Sequence, residues 1–232
     1  MNRCLHCHEL FFEPVGWRKI LLLDEPALLC QVCEDELILI SGQRCKGCSR
    51  SLDKLPEKLR KDDQCLDCWR WQQKPDTTNL LEKNVSLYEY NPFLKDWLAT
   101  FKYRGDAVIA TYFSPKLEKL YQKNFKGYVP VAIPLSQERL TARGFNQSQL
   151  LMNNWTEEKL VLTRRYGEKQ SKKSRSERIR QFQENPFVVD QPIKGSIVLV
   201  DDIYTTGTTV RQVALKLLEN GASQVASLTI AR

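Results

Sequence analysis

Short apolar runs alternate with longer amphipathic stretches along the second half of the chain. Four runs are typical of strands, at residues 85–90, 129–133, 197–200 and 224–230. Three stretches between them show helical spacing, at residues 108–123, 146–155 and 208–219. Strands that alternate with helices predict an α/β fold with a mostly parallel sheet.

A further helix is predicted directly after the first strand. Asn91 can cap a helix through its side chain, and Pro92 suits the first helical position, where no N–H is needed. Trp97 and Phe101 then lie at helical spacing, and Gly105 can end the helix.

Composition divides the chain into two regions. All eight cysteines precede residue 69, and a polar stretch at residues 71–84 follows them. We therefore expect a cysteine-rich zinc-binding module at residues 1–72 and an α/β domain at residues 85–232. Hydrophobic residues make up 42% of the chain, as in an ordinary globular protein. No apolar run reaches the roughly 20 residues of a membrane span, and no signal sequence precedes the first cysteines, so we expect a cytoplasmic protein.

The cysteines form four CxxC pairs, a spacing typical of metal-binding knuckles. Two thiolates separated by two residues can reach one tetrahedral ion at about 2.3 Å, so two pairs complete one site. The chain therefore offers two structural zinc sites, and four thiolates would leave neither of them an open position for chemistry. The eight candidate ligands are Cys4, Cys7, Cys30, Cys33, Cys45, Cys48, Cys65 and Cys68.

The metal and the pairing of these cysteines have alternatives. Disulfides would compete with zinc in an oxidising compartment, and iron could occupy a rubredoxin-like cage. Sequential pairing joins the first CxxC pair with the second and the third with the fourth, whereas a cross-brace joins the first with the third. We favour zinc and sequential pairing. His6 and His8 could replace a ligand, but eight thiols already suffice for two sites.

The most informative stretch is an apolar strand followed by two aspartates, a hydroxyl-rich loop and a helix. Backbone N–H groups and hydroxyls of such a loop can bind a phosphate, and the helix start adds the positive end of its dipole. The glycine permits close approach, and we expect a branched side chain there to fill the phosphate volume. The aspartates can accept hydrogen bonds from ribose hydroxyls; the competing interpretation is a turn that only caps a helix. The residues are Asp201, Asp202, Thr205, Thr206, Gly207, Thr208 and Thr209.

This segment resembles the loop of type I phosphoribosyltransferases that binds phosphoribosyl pyrophosphate (PRPP). Over nearly its full length the chain is similar to the ComF family of late competence proteins of bacterial natural transformation. Besides the cysteines and the loop, the resemblance rests on residues 101–106, 134–147 and 164–187. It implies a type I phosphoribosyltransferase-like parallel sheet flanked by helices, and PRPP bound with Mg²⁺. It also implies action in DNA uptake beside a ComFA-type ATP-driven translocase.

Two basic clusters bear on the ligand. Arg139 and Arg143 follow the strand at residues 129–133, and their planar guanidinium groups suit phosphate oxygens; solvated surface charge is the alternative. Residues 164–180 hold eight basic and two acidic side chains, in a chain of net charge +7. Three interpretations of this basic segment stay open: a lid over PRPP, a weak electrostatic surface for single-stranded DNA, or a charged solvent-facing helix.

Two functions are consistent with these features. An enzyme would transfer ribose 5-phosphate from PRPP to an acceptor, with pyrophosphate leaving. A binding protein would use the site to sense PRPP, another phosphorylated ribose or the 5′-phosphates of DNA, while it acts in DNA uptake. No residue set indicates an acceptor pocket or a particular catalytic residue, so the sequence favours the second function.

Overall fold

The first third of the chain consists of short elements joined by turns. The structure, a computed structural model, describes residues 1–13, 17, 26–152, 155, 162–164, 185–189 and 191–232. Elements this short bury little apolar surface, so metal coordination is the expected source of their stability. In chain order they are β1 (Asn2–Arg3), β2 (Leu10–Phe11), α1 (Gln31–Asp35), a 3₁₀ turn (Glu57–Leu59), β3 (Arg60–Lys61), β4 (Gln64–Cys65) and α2 (Leu66–Gln72).

The following region contains a parallel sheet flanked by helices. The sheet has the order β5-β10-β9-β6, and every neighbouring pair in it is parallel. This architecture confirms the predicted α/β fold preceded by a cysteine-rich segment. The elements are β5 (Asn84–Tyr88), α3 (Pro92–Tyr103), α4 (Ile109–Asn124), β6 (Val129–Ala132), α5 (Gln137–Arg143), α6 (Gln147–Leu150), β7 (Leu162–Arg164), β8 (Phe187–Val189), β9 (Ser196–Ile203), α7 (Thr208–Glu219) and β10 (Gln224–Ala231).

The two faces of the sheet carry different partners. Val198 and Val200 of β9 face a cluster that contains the apolar sides of α3 and α4, because alternate residues of a strand point to one face. Ile197 and Leu199 face a second cluster that contains the apolar side of α7. The cysteine-rich segment reaches both faces: Cys4 and Cys33 join the first cluster, whereas the cysteines after residue 44 join the second.

Several predicted elements differ in extent from those observed. The N-cap of α3 is confirmed, since the side chain of Asn91 accepts a hydrogen bond of 2.8 Å from the N–H of Leu94. The helix expected at residues 146–155 has only the four residues of α6 as its described helical part. Helix α5 was not predicted, because its sequence is mostly polar and lacks an apolar stripe. Strand β9 continues through the aspartates to Ile203.

The cysteine-rich segment pairs with the outer edge of β5, a border strand of the sheet. The N–H of Ile40 donates to the carbonyl of Leu87 over 3.1 Å, and the N–H of Glu89 donates to Ile38 over 2.8 Å. At the other end of the strand, the N–H of Asn84 donates to the carbonyl of Gly47 over 3.0 Å. The border of the sheet is therefore covered by backbone from the cysteine-rich segment.

The structure describes only part of the basic segment at residues 164–180. Of this segment, Arg164 ends β7, while residues 165–180 lie outside the described residues.

Among the described residues, none of the helices combines the length and the apolar character that crossing a lipid bilayer requires.

Candidate functional site

The eight cysteines are grouped into two tetrads. In each tetrad the four Sγ atoms all lie within 4.8 Å of one another. This grouping confirms sequential pairing, and all eight thiols are free rather than joined in disulfides. The tetrads are Cys4, Cys7, Cys30 and Cys33, called the first tetrad, and Cys45, Cys48, Cys65 and Cys68, called the second tetrad.

The sulfur atoms are spaced as a tetrahedral metal ion requires. The Sγ atoms of Cys7 and Cys30 lie 3.8 Å apart, and those of Cys48 and Cys65 lie 3.6 Å apart. Four sulfurs at about 2.3 Å from one ion would be about 3.8 Å apart, whereas a disulfide brings two sulfurs to about 2 Å. Each tetrad could therefore hold one metal ion with four thiolate ligands.

The two tetrads differ in exposure. All four cysteines of the second tetrad are buried, whereas Cys7 of the first tetrad is exposed and Cys30 is partly exposed. His6 is not part of the first tetrad, but its Nδ1 lies 3.6 Å from the Sγ of Cys33. Its ring packs against Phe93 at the start of α3, with 4.2 Å between the ring centroids.

A polar cavity of about 230 Å³ opens at the carboxyl edge of the sheet, where β6 and β9 end. Four basic side chains and two acidic ones line it, so its lining has an excess of positive charge. Such a lining suits an anion that also carries hydroxyl groups. The lining residues are Lys102, Tyr103, Ile133, Pro134, Leu135, Arg139, Arg143, Gln147, Arg164, Asp201, Asp202, Ile203, Thr205 and Thr209.

The two aspartates of the cavity are in different electrostatic environments. Burial disfavours ionisation of Asp202, but the ammonium group of Lys102 forms an ion pair with it and lowers the pKa of its carboxyl. Burial and the adjacent charge of Asp202 raise the pKa of the Asp201 carboxyl to about 8. Asp201 accepts hydrogen bonds from the hydroxyl of Ser148 at 3.1 Å and from the N–H of Asp202 at 2.9 Å. The two adjacent carboxyls therefore differ in how readily they ionise: the pKa of Asp201 is raised and that of Asp202 is lowered.

The loop after β9 leaves backbone donors available. Among the described residues, the N–H groups of Thr205, Thr206 and Gly207 have no hydrogen-bond acceptor. The hydroxyls of Thr206 and Thr208 are buried and lie 2.9 Å apart. Of the loop threonines, Thr205 and Thr209 line the cavity. Free N–H groups beside the start of a long helix such as α7 are a typical binding site for a phosphate.

Gly207 faces the protein interior rather than the cavity. Its φ of +77° is in the left-handed region, and a Cβ atom there would meet the hydroxyl of Tyr204 and the guanidinium of Arg211. The expectation that a branched side chain at Gly207 would fill the phosphate volume is therefore wrong. The glycine is needed because Tyr204 and Arg211, which share a hydrogen bond of 2.7 Å, pack against its α-carbon.

The predicted arginines of α5, Arg139 and Arg143, line the same cavity. Burial lowers the pKa of the Arg143 guanidinium, which donates to the side chain of Gln147 over 2.8 Å and lies 5.2 Å from the ring centroid of Tyr103. Arg164 also lines the cavity, and burial lowers the pKa of its guanidinium.

The structure thus brings together Asp201, Asp202, Arg139 and Arg143 as the sequence predicted, with Thr205 and Thr209 of the loop. Lys102 was missed as a site residue. It lies 100 positions before its partner, and the only available signal was its place in the segment at residues 101–106 that resembles the ComF family.

A parallel sheet flanked by helices, preceded by two four-cysteine clusters, makes this an α/β protein with a cysteine-rich segment and a basic cavity at the carboxyl edge of its sheet. Comparison with known proteins then gives its family: the chain belongs to the family of the competence protein ComFC. It is 37% identical to ComFC of Bacillus subtilis (strain 168), over 99% of this chain and 94% of that protein. It is 31% identical to ComFC of Streptococcus pneumoniae (strain ATCC BAA-255 / R6), over 99% and 100% of the two chains.

A second group of relatives bears a different name. The DNA utilization protein YhgH of Escherichia coli (strain K12) is 34% identical, over 85% of this chain and 93% of that protein. No family model matches the chain.

Proposed function

We propose that this protein acts in the uptake of DNA during natural transformation and that its cavity binds PRPP together with Mg²⁺. The names of the relatives, competence protein ComFC and DNA utilization protein, support the role in DNA uptake. The cavity at the end of β9 supports the ligand, because cationic side chains and carboxylates line it and the loop with the free N–H groups borders it at Thr205.

Each part of PRPP has a candidate partner in the cavity. The 5-phosphate would accept hydrogen bonds from the loop N–H groups and from Thr205 and Thr209, at the positive end of the α7 dipole. Arg139 and Arg143 would bind the pyrophosphate through their planar guanidinium groups. Asp201 and Asp202 would accept hydrogen bonds from the ribose hydroxyls or hold Mg²⁺, which would offset the negative charge of the pyrophosphate.

The two tetrads bind structural zinc in this proposal. Their donor set consists of sulfur alone, which suits zinc, and four thiolates leave no position for a reacting molecule. The cysteine-rich residues 1–72 and residues 85–232 act as two domains of one protein, and the protein works in the cytoplasm.

Calorimetric titration with PRPP, with and without Mg²⁺, tests the ligand. Asp202→Ala should weaken binding at least tenfold, because the carboxylate is lost and Lys102 is left without its partner. Asp76→Ala removes an exposed carboxylate away from the cavity and should leave the affinity unchanged. A folded wild-type protein that takes up no PRPP in the presence of Mg²⁺ would contradict the proposal.

Catalysed transfer of ribose 5-phosphate is the second candidate function, and one observation favours it. A second cavity of about 310 Å³ lies beside the first and shares Ile203 and Thr205 with it, which leaves room for an acceptor molecule. Steady release of pyrophosphate from PRPP on addition of an acceptor would support turnover, whereas PRPP binding without release would support the binding role. The second cavity is lined by Arg50, Tyr90, Ile203, Tyr204, Thr205, Thr206 and Arg232.

Single-stranded DNA and a ComFA-type translocase are the proposed macromolecular partners. The basic segment, with eight basic and two acidic residues at positions 164–180, supports a weak contact with DNA that does not depend on sequence. Three or four phosphate contacts would reduce affinity about tenfold or more between 50 and 200 mM salt, with a slope of roughly −0.7 per contact.

A double variant separates a DNA surface from a lid. Lys172→Glu with Lys173→Glu should weaken DNA binding and leave PRPP binding intact if the segment contacts DNA. A lid would give the reverse result. Fluorescence anisotropy with a labelled single strand at two salt concentrations measures the first quantity, and calorimetry measures the second. A DNA affinity that does not change with salt concentration would contradict an electrostatic DNA-binding surface.

A further inference from the structure

We infer that the second tetrad has a positioning role: through Arg232 and Trp71 it fixes the orientation of the loop that binds the phosphate. The inference rests on the proposed function for its ligand, but the contacts that carry it belong to the protein alone. Arg232 and Trp71 are positioning residues, because both contact the loop and neither lines the first cavity.

Arg232 bridges the second tetrad and the loop directly. Its Nε donates to the Sγ of Cys48 over 3.1 Å, and its Nη1 donates to the carbonyl of Thr205 over 2.7 Å. The guanidinium also lies 5.1 Å from the ring centroid of Tyr204, and its side chain is only 5% exposed. A planar guanidinium carries donors on separate nitrogens and can make both bonds at once, whereas a lysine carries its three donors on a single nitrogen.

Trp71 makes a second connection from the same tetrad. It lies one helical turn after Cys68 in α2, and its indole N–H donates to the carbonyl of Thr206 over 2.8 Å. The indole is 2% exposed, and the guanidinium of Arg211 lies 4.8 Å from its ring centroid. Arg211 itself bonds to the hydroxyl of Tyr204, so the residues around the loop form one connected network.

These two bonds determine which way the loop N–H groups point. The structure contains no cis peptide in its described residues, and in a trans peptide the carbonyl and the following N–H point in opposite directions. Since the carbonyls of Thr205 and Thr206 are held towards the second tetrad, the N–H groups of Thr206 and Gly207 are directed away from it. These N–H groups have no acceptor among the described residues, and the proposed function assigns them to the phosphate.

The first tetrad has no comparable connection. It shares an apolar cluster with α3 and α4, and its neighbour His6 packs on Phe93 and Trp97. In the part of the chain that the structure describes, no hydrogen bond or ion pair joins it to the loop. The two tetrads, although alike in sequence, are therefore inferred to have different consequences for the ligand.

Two matched tryptophan variants test the inference. Trp71→Phe keeps the ring but removes the bond to Thr206 and should weaken PRPP binding about twofold to tenfold. Trp97→Phe is the control, because Trp97 is equally buried beside the first tetrad and its indole nitrogen has no partner among the described residues. Its PRPP affinity should equal that of the wild type. Arg232→Met should weaken binding about tenfold or more, and Arg232→Lys should not restore it fully.

Two further measurements separate positioning from general damage. Zinc content, by elemental analysis, should be the same in Trp71→Phe, Trp97→Phe and wild type. NMR order parameters of the amides of Thr206 and Gly207, recorded without ligand, should fall in Trp71→Phe and in Arg232→Met but not in Trp97→Phe.

The outcomes distinguish this inference from the proposed ligand. If wild type does not bind PRPP but the loop amides become more mobile only in Trp71→Phe and Arg232→Met, the connection stands and the ligand is wrong. Unchanged order parameters would overturn the connection whatever the ligand is. Equal loss of affinity in the two tryptophan variants, or a loss of zinc that accounts for the weaker binding, would also overturn it.

Discussion

Lys102 and Asp202 form a buried ion pair that joins the end of α3 to the end of β9. Their side chains are 17% and 5% exposed, so the pair is largely screened from solvent. The pair keeps Asp202 ionised, and that negative charge, together with burial, raises the pKa of the neighbouring Asp201. One lysine thus influences the charge of both carboxyls of the cavity.

Removal of the lysine should destabilise the protein. Lys102→Met leaves the buried carboxylate of Asp202 without its partner, so the free energy of unfolding should fall by about 3–5 kcal/mol. Urea denaturation followed by circular dichroism measures the change. The double variant Lys102→Met with Asp202→Asn should recover most of the loss, because no charge is then left buried. Lys216→Met is the control: it breaks a 2.7 Å ion pair with Glu219 on the surface and should cost at most about 1 kcal/mol.

The raised pKa of Asp201 predicts how stability depends on pH. Its pKa is about 8 in the folded protein against an ordinary 3.8, so between these values the folded state binds a proton that the unfolded state has lost. The stability that Asp201 contributes is therefore complete below about pH 4 and is lost as the pH rises towards 8. Asp201→Asn does not titrate, so its stability relative to wild type should rise across this window. Thermal unfolding of both proteins at several pH values tests this, and a difference that does not vary with pH would contradict it.

Two glycines with the same backbone conformation allow the cost of backbone strain to be measured apart from the cost of steric conflict. Gly207 and Gly105 have φ values of +77° and +76°, but a Cβ would meet Tyr204 and Arg211 only at Gly207, and nothing within 4 Å at Gly105. Gly105→Ala should therefore cost about 1–2 kcal/mol for the left-handed backbone alone. Gly207→Ala should cost more and should also weaken PRPP binding, because Arg211 and Tyr204 must shift. Equal losses of stability in chemical denaturation would show that the contacts at Gly207 are easily relieved.

Elemental analysis should find close to two zinc ions per chain in protein purified without added metal. Cys7→Ser should lower the count to about one, since the exposed Cys7 belongs to the first tetrad alone. A chelator should likewise remove the ion of the first tetrad before the ion of the buried second tetrad. A single zinc in the wild type, or mostly iron, would contradict the proposed metal content.

The sequence predicted the strands of the sheet because continuous apolar runs such as residues 197–200 have few alternatives in a globular protein. It could not decide between sequential and crossed cysteine pairing. The CxxC spacing brings together the two cysteines of one pair, but it does not determine which two pairs share an ion. It also missed the partners that come from far along the chain. Lys102, Trp71 and Arg232 have ordinary local sequence contexts, and their roles arise only when the fold brings them to residues 202–206.

The pairing of the cysteine-rich segment with β5 has a consequence for the fate of metal-depleted protein. A border strand with unpaired N–H and carbonyl groups is a template for edge-to-edge association with other chains. Here the backbone at residues 38–40 and at Gly47 occupies that border. Gly47 lies between Cys45 and Cys48, so loss of a metal ion held by the second tetrad would loosen this part of the cover. If the tetrads hold zinc as proposed, metal coordination would also keep the border strand covered, and oxidation of the thiols would be expected to favour aggregation.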